Sequence, residues 1–507
     1  MISAVVSGHT DSRVLLGPGV GEDAAVVRIG GELWAIAADP ISFTAHDAGR
    51  LAVTVNANDV AVRGARPTFF VAVVLVAPDE ASPARIHDLL AQIRSSCDRL
   101  GVVLIGGHTE VSPGLDHSLV VGTMMGPVRG RAITTGGLNA GDWVGMTRWA
   151  GLEGTSILMA ELGDRLRQRH GAGFLDDLER DLRGDWLSIV PEALAAAANP
   201  GVTALHDVTE GGVGEALFEL ERASGLRLET SRDHVPVLPG TSAICRDLGL
   251  DPLGVIGSGA LLVGCTDGGR ESLEADLGEL RVPLAWIGRA VGDGQDLARP
   301  IPRFERDEIL RCFSVRGVRG VVFDMDGTLV ASEYDWPAIR AQLGVSGASI
   351  IDELNDLPEP ERTERWVELE EIERDASEAA HLNEGVRELL STLAERGVKT
   401  SLVTNNSEAN TARLLERFGL NFDAVLTRDS GLWKPSGAPI EEAMNRLGLP
   451  PDRCLVVGDS RYDVDAARAA GSAAICLLND GARRYEGEVD LRFPNVESLS
   501  RYLELVL

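Results

Sequence analysis

Gly320-Val321-Val322-Phe323-Asp324-Met325-Asp326-Gly327-Thr328-Leu329 runs a short apolar strand straight into two carboxylates and a glycine turn. Three further segments of the last third place a reactive group near a strand end or turn. Ser401-Leu402-Val403-Thr404-Asn405-Asn406 ends on a hydroxyl and two amides, Trp433-Lys434-Pro435 carries an ammonium, and Leu455-Val456-Val457-Gly458-Asp459-Ser460 leads to Asp463. Phosphoryl transfer needs this combination: a carboxylate to attack phosphorus, another to move a proton, a hydroxyl and an ammonium to hold phosphoryl oxygens, and more carboxylates for a divalent cation. Lys399 and Lys434 are the only lysines in 507 residues. A chain that otherwise uses arginine keeps a compact point charge where a phosphate would sit.

Valine- and leucine-rich strands alternate here with the helical patterns Val386 to Arg396, Glu408 to Phe418 and Ile440 to Leu447, which predicts a Rossmann-like parallel sheet flanked by helices. In such sheets the site lies at the carboxyl ends of the strands. The insert from about Glu333 to His381 carries helical periodicity and fits a small helical cap.

Taken in order, these motifs resemble the haloacid dehalogenase superfamily, and the cap resembles that of its phosphoglycolate phosphatase-like members. The resemblance covers about residues 317 to 507 and rests on four motifs agreeing in type, order and spacing. It implies that Asp324 is the nucleophile, forming an aspartyl-phosphate, and that Asp326 protonates the leaving alcohol and then activates water. It implies phosphate binding by Thr404, Asn405 and Lys434, and Mg²⁺ binding by Asp324, Asp326 through its carbonyl, and Asp459, with Asp463 in support. Asp326 argues against dehalogenation, and a cap without lysine argues against phosphonate cleavage. A small phosphorylated metabolite is the expected substrate. A sugar phosphomutase shares all four motifs and stays open as the alternative.

The first three hundred residues carry a second signal. Gly17-Pro18-Gly19-Val20-Gly21-Glu22-Asp23-Ala24 is a glycine-rich acidic turn, and without a Gly-Lys-Ser/Thr it is not a P-loop. Asp39 ends an apparent strand, Val55 to Pro67 reads as a helix of small residues with polar ones on one side, and Leu104 to Val111 reads as a strand meeting a glycine turn. The segment before it, Ile86 to Leu100, has the period of a helix. Further on stand Gly141-Asp142-Trp143, His206-Asp207-Val208-Thr209-Glu210-Gly211-Gly212 and Gly257-Ser258-Gly259. Carboxylates at Asp23, Asp39, Asp59, Glu110 and Asp207 could gather Mg²⁺ ions around a triphosphate.

As a series these segments resemble the aminoimidazole ribonucleotide synthetase superfamily over about residues 1 to 310. That family includes the purine cyclo-ligase, thiamine-monophosphate kinase, selenophosphate synthetase and the hydrogenase-maturation dehydratase. The resemblance implies a two-half α+β module that binds ATP, phosphorylates a substrate oxygen and forms a homodimer. No cysteine precedes Cys97 and the module has no lysine, which departs from selenophosphate synthetase. His206 to Val213 departs from the thiamine-monophosphate kinase pattern and is nearer the hydrogenase-maturation branch. That branch depends on a cysteine at the end of a mobile tail, whereas Cys312 is followed by a second domain and reads as a buried structural residue.

Punctuation then divides the chain into a synthetase-like N-terminal half (1–130), a C-terminal half (131–305), a linker (306–318) and the phosphatase domain (319–507). Gly126 to Gly141 separates the halves, and Arg299 to Arg303, with two prolines, favours extended chain. A net charge of −29 opposes nucleic-acid and anionic-lipid partners. The longest apolar run, Phe69 to Pro78, is too short for a bilayer and the N-terminus has no leader pattern, so a cytoplasmic location is expected. Six cysteines without a Cys-x-x-Cys pair give neither a disulfide framework nor a zinc site. The expectation is a bifunctional enzyme, with a non-catalytic nucleotide sensor or dimerisation platform as the other reading of the first module.

Overall fold

The computed structural model describes residues 11–41, 47–182, 184–292, 300–332, 334–347, 349–478 and 488–507, which form two compact units that divide near Ile309. Glu333, the first residue of the expected cap, lies outside the described residues.

The first unit is α+β and has two sheets. One contains β1 (Val14–Leu16), β2 (Ala25–Ile29), β3 (Glu32–Ala37), β4 (Pro40–Ile41), β5 (Phe69–Val76), β6 (Val103–Val111) and β7 (Leu119–Pro127), in the order β1-β2-β3-β7-β5-β6 with β4 beside β7. β5 alternates buried and partly buried residues, as a strand with one face on a core should. That core is covered by the helices Ala48–Ala61 and Pro83–Leu100. The second sheet contains β8 (Trp143–Thr147), β9 (Val202–Asp207), β10 (Arg227–Thr230), β11 (Leu261–Cys265) and β12 (Leu284–Val291), in the antiparallel order β10-β12-β8-β11-β9.

Two expectations for this unit are corrected. The helix ends at Ala61 rather than running on toward Pro67, and its polar residues Asn56, Asn58 and Asp59 are buried. Asn56 and Asn58 spend their amides on neighbouring main chain: Asp39 N–H donates to Asn56 Oδ1 at 2.9 Å, and Asn58 Nδ2 donates to Leu187 O at 2.9 Å. Likewise Gly106-Gly107 is not a turn but continues β6, because β5 packs so closely that a Cβ on Gly107 would collide with Ala72 O. Within the stretch expected to be a plain linker, Leu310–Phe313 is a short helix and Asp307 is buried, accepting from the N–H groups of Gly211 and Ile309.

The second unit is a six-stranded parallel sheet of β13 (Gly320–Phe323), β16 (Lys399–Val403), β17 (Ala424–Leu426), β18 (Cys454–Gly458), β19 (Ala474–Leu478) and β20 (Leu491–Phe493), ordered β17-β16-β13-β18-β19-β20. β13 and β18 are buried throughout, as strands covered on both faces must be. The expected helices form at Val386–Glu395, Glu408–Phe418 and Ala438–Leu447. The hairpin-like pair β14 (Val330–Ala331) and β15 (His381–Leu382) marks where the chain leaves the sheet and returns. Between them lie the helices Trp336–Leu343, Ile350–Asp356 and Glu361–Ala379, which share a small core of Ile339, Leu343, Leu354 and Leu369. Asp335 and Ser349 cap the first two by accepting from the N–H groups of Ala338 and Asp352. All six cysteines are buried and none forms a disulfide, Cys312 included.

Candidate functional sites

Strand register brings the phosphatase motifs together. Phe323 pairs with Leu402 on one side and Val457 on the other, so Asp324, Thr404 and Asp459 leave three adjacent strands at the same end of the sheet. The turn after Asp326 depends on Gly327, which has φ +85° and faces the Asp459 carboxylate where a Cβ would stand.

Lys434 is the hub of this site. Its buried Nζ donates to Asp324 Oδ1 at 2.5 Å and to Asp463 Oδ1 at 2.6 Å. Burial alone would weaken the ammonium, but the two carboxylates outweigh it and hold its pKa above the ordinary lysine value. Asp463 is itself fixed as part of a capping box, accepting through Oδ2 from Ser460 N at 3.1 Å and Ser460 Oγ at 2.6 Å. Carboxylate oxygens of Asp324, Asp459 and Asp463 lie within 4.8 Å of one another. Burial raises Asp324 well above the carboxylate range against the pull of Lys434, and burial with the nearby Asp463 pushes Asp459 up to about 7. A divalent cation would remove that penalty, and an all-oxygen donor set suits Mg²⁺.

Asp326 occupies a different environment. Ser332 Oγ donates to its Oδ1 at 2.8 Å and Asn406 Nδ2 to its Oδ2 at 3.1 Å, while burial raises its pKa above the usual value. Two neighbouring carboxyl groups are thus held apart in role: one facing an ammonium, the other cradled by neutral donors. Thr404 is buried with its Oγ1 accepting from Asn406 N at 3.1 Å. Asn405 uses its side chain on Lys434, donating to the carbonyl and accepting from the N–H, each at 2.8 Å. Its amide thus helps to hold the lysine loop.

These groups open into a cavity of about 510 Å³ shared with the helical insert, lined there by Tyr334, Trp336, Ile350, Ile351, Leu369 and Glu373. Sequence reasoning missed Ser332, Asn406, Glu373 and Arg428. Asn406 stood next to an assigned residue, and that adjacency was the available signal. Glu373 and Arg428 are separated by 55 positions and carried none.

In the first unit, the structure gathers Asp23, Asp39, Asp59 and Asp207. Burial raises Asp59 well above the carboxylate range, and Asp207, Asp39 and Asp23 raise it further. Burial with Asp23 pushes Asp207 up to about 8, and neither of its oxygens has a hydrogen-bond partner. Asp23 differs: His206 Nδ1 and Arg63 Nη2 each lie 3.1 Å from its Oδ2, and they outweigh burial to hold it low. His206 Nε2 meets Glu219 at 2.9 Å, and the two carboxylates lift the ring's pKa to about 10 although burial opposes it. Arg63, completely buried, also pairs with Glu22 and donates to Thr135 Oγ1. Glu110 does not join this buried group. It stands exposed on β6, 3.2 Å from His108 Nε2.

The folds and sites define a two-part chain: an α+β module with a buried acidic cluster, then an α/β hydrolase-type domain with a capped carboxylate site. Residues 21–128 and 139–298 match the N- and C-terminal domains of AIR synthase related proteins, and residues 318–471 match the haloacid dehalogenase-like hydrolases. The chain belongs to the AIR synthase related proteins and carries a haloacid dehalogenase-like hydrolase domain fused behind that module. It is 30% identical over 266 residues to the hydrogenase expression/formation protein HupE of Azotobacter chroococcum, covering 50% of this chain and 73% of that one. The carbamoyl dehydratase HypE of Escherichia coli is 29% identical over 265 residues, with 50% and 73% covered. An uncharacterized hydrolase of Saccharomyces cerevisiae is 29% identical over 202 residues, covering 38% of this chain and 92% of that one.

Proposed function

We propose that the C-terminal domain is a Mg²⁺-dependent phosphomonoesterase for a small phosphorylated metabolite. The observation that carries this reading is the bridge from Lys434 Nζ to Asp324 and Asp463, beside an Asp326 held separately by Asn406 and Ser332. Asp324 attacks phosphorus as the bond to the alcohol oxygen breaks, giving an aspartyl-phosphate. Asp326, whose pKa burial raises above the usual carboxylate value, passes a proton to the leaving alkoxide. It then takes a proton from water as that water attacks phosphorus, which frees Asp324 and releases inorganic phosphate. Lys434, Thr404 and the Asn405 N–H hold the phosphoryl oxygens. Asp324, Asp459 and the Asp326 carbonyl would hold Mg²⁺, with Asp463 in support, and the ion supplies positive charge against the phosphoryl oxygens.

Phosphate release from a panel of small phosphate esters with Mg²⁺, wild type against Asp324→Asn, tests this. Release lost in the variant supports it. A phosphate moved to another hydroxyl of the same sugar, with none released, would identify a mutase instead.

For the N-terminal module we propose ATP binding, with Asp39, Asp59 and Asp207 directed at the Mg²⁺ of the nucleotide and Asp23 fixed by Arg63 and His206. The unpartnered oxygens of Asp59 and Asp207 support a cation there. Glu110 would reach the nucleotide only from the β6 edge. β6 is exposed along its whole length, with Val103, Leu104, Ile105 and Val111 uncovered, which favours a homodimer formed on this edge. The same strand favours a second reading of the module as a nucleotide-sensing dimerisation platform. ATP consumption stimulated by one metabolite would select the synthetase reading. ATP binding without consumption, with a changed phosphatase rate, would select the sensor.

The relative named a carbamoyl dehydratase raises that chemistry for this module too, but the cysteine on which the resembling branch depends has no displayed counterpart among six buried thiols. Six buried cysteines without a disulfide fit the reducing cytoplasm, and no described helix is long and apolar enough to cross a membrane.

A further inference from the structure

The cavity above Asp324 contains a charged pair that phosphoryl transfer does not use. Glu373, on the helix Glu361–Ala379, and Arg428, from the turn after β17, form an ion pair with side chains only 6% and 4% exposed. Both line the cavity. Each spends one end of its fork on the other and leaves the second end over: Glu373 Oε2 and Arg428 Nη2 have no hydrogen-bond partner. Leaving such a group unsatisfied costs about 1–3 kcal/mol, more when it is charged. A buried pair with one acceptor and one donor to spare is therefore suited to a ligand edge that offers a donor and an acceptor.

Part of the remaining wall is apolar and aromatic, and Arg340, Ser349, Ser460 and Tyr462 supply its polar part. Tyr334 and Trp336 stack at 4.6 Å between centroids, Trp336 is 45% exposed, and Ile350, Ile351 and Leu369 extend this apolar side. At about 510 Å³ the space falls within the range of about 300–1,000 Å³ typical for small-molecule sites and exceeds what a phosphoryl group alone would fill. Arg428 also lies 5.0 Å from the centroid of the Trp366 ring, a cation–π contact that helps to hold it.

We infer that the leaving alcohol carries a flat heteroaromatic ring whose edge offers both a hydrogen-bond donor for Glu373 Oε2 and an acceptor for Arg428 Nη2, with its face against the stacked Trp336–Tyr334 pair. This rests on the phosphomonoesterase reading above. Glu373 and Arg428 are then specificity residues. Because one comes from the helical insert and the other from the sheet domain, the substrate that satisfies both also holds the insert over the nucleophile.

The test uses the full chain with Mg²⁺ and three probes: a pyrimidine nucleoside 5′-monophosphate, whose ring has adjacent N–H and C=O groups; para-nitrophenyl phosphate, flat but without a ring donor; and glycerol 1-phosphate, neither flat nor cyclic. Wild type should favour the first by kcat/KM. Glu373→Gln, which keeps shape and partial pairing with Arg428, should lower the nucleotide to para-nitrophenyl phosphate ratio by about 10- to 100-fold, the range expected for a hydrogen bond to a charged group. Trp336→Ala should instead lower the ratio of either ring substrate to glycerol 1-phosphate. A Glu373→Gln ratio equal to that of wild type, or glycerol 1-phosphate as the preferred probe, would overturn the inference while leaving the phosphatase intact. Hydrolysis of none of the probes would overturn the phosphatase reading and this one with it.

Discussion

Lys434 Nζ and Asp324 Oδ1 are 2.5 Å apart in a buried pocket, so the proposed nucleophile and the one lysine near it are a single electrostatic unit. Removing either partner has opposite consequences. Lys434→Met leaves Asp324 and Asp463 buried without their cation, a situation that costs about 3–5 kcal/mol. Asp324→Asn leaves Lys434 still paired to Asp463 and relieves carboxylate crowding around Asp459. Chemical denaturation should therefore find Lys434→Met strongly destabilised and Asp324→Asn close to wild type, while both lose phosphatase turnover by about 10³-fold or more. Equal destabilisation of the two would contradict the shared-pair account.

Asn406 holds Asp326 from one side and Ser332 from the other. A positioned acid contributes about 10²–10⁴ in rate. Asn406→Ala should therefore lower kcat by about 10- to 100-fold with little change in KM, and the loss should be greater for esters with poor leaving groups, which need the proton most. A loss independent of leaving-group pKa would assign Asn406 to packing alone.

How much of this was legible in the sequence depends on distance along the chain. Asp324, Thr404 and Asp459 announced themselves because each sits at the end of an apolar run, and parallel strand pairing then dictates that such ends converge. The helices Glu408–Phe418 and Ala438–Leu447 were legible because they follow a 3.6-residue period. The burial of Asn56 and Asn58 was not legible, because a polar residue whose amide is consumed by main chain 17 or 129 positions away looks the same in sequence as one facing water. Gly106-Gly107 was misread for a related reason: glycine marks close backbone approach as often as a turn, and only the neighbour β5 decides which. The pairing of Glu373 with Arg428 depends on how the insert meets the sheet domain, and no local pattern encodes that.

Gly327 has φ +85°, and a Cβ there would meet the Asp459 carboxylate. Gly327→Ala should strain the turn by about 1 kcal/mol or more and displace a proposed Mg²⁺ ligand. The Mg²⁺ concentration for half-maximal activity should rise several-fold, with partial recovery of rate at high Mg²⁺. An unchanged Mg²⁺ dependence would remove Asp459 from the ligand set.

In the first unit, Glu192 is completely buried, 2.7 Å from Arg148 Nη2, and burial outweighs the arginine to push it up to about 7 from 4.5. A carboxyl raised on folding contributes stability that is fully present below its unfolded pKa and lost as pH rises through the folded value. Thermal melts from pH 5 to pH 8 should show Glu192→Gln gaining on wild type as pH rises, by on the order of 3 kcal/mol across the window. A stability difference that does not vary with pH would rule out a raised Glu192.

The β6 edge offers a last test, because it separates an exposed strand from an assembly surface. Ile105 is 53% exposed and Val103 54%, on a strand whose other edge is paired in parallel to β5. A long apolar edge invites pairing, and a charge on it opposes pairing. Ile105→Glu should shift sedimentation from dimer toward monomer and weaken ATP binding if Glu110 serves a nucleotide from this edge. Phosphate release by the C-terminal domain should persist in the monomer, unless the nucleotide module controls it. A dimer that survives the substitution would place the interface elsewhere and take Glu110 out of the nucleotide site.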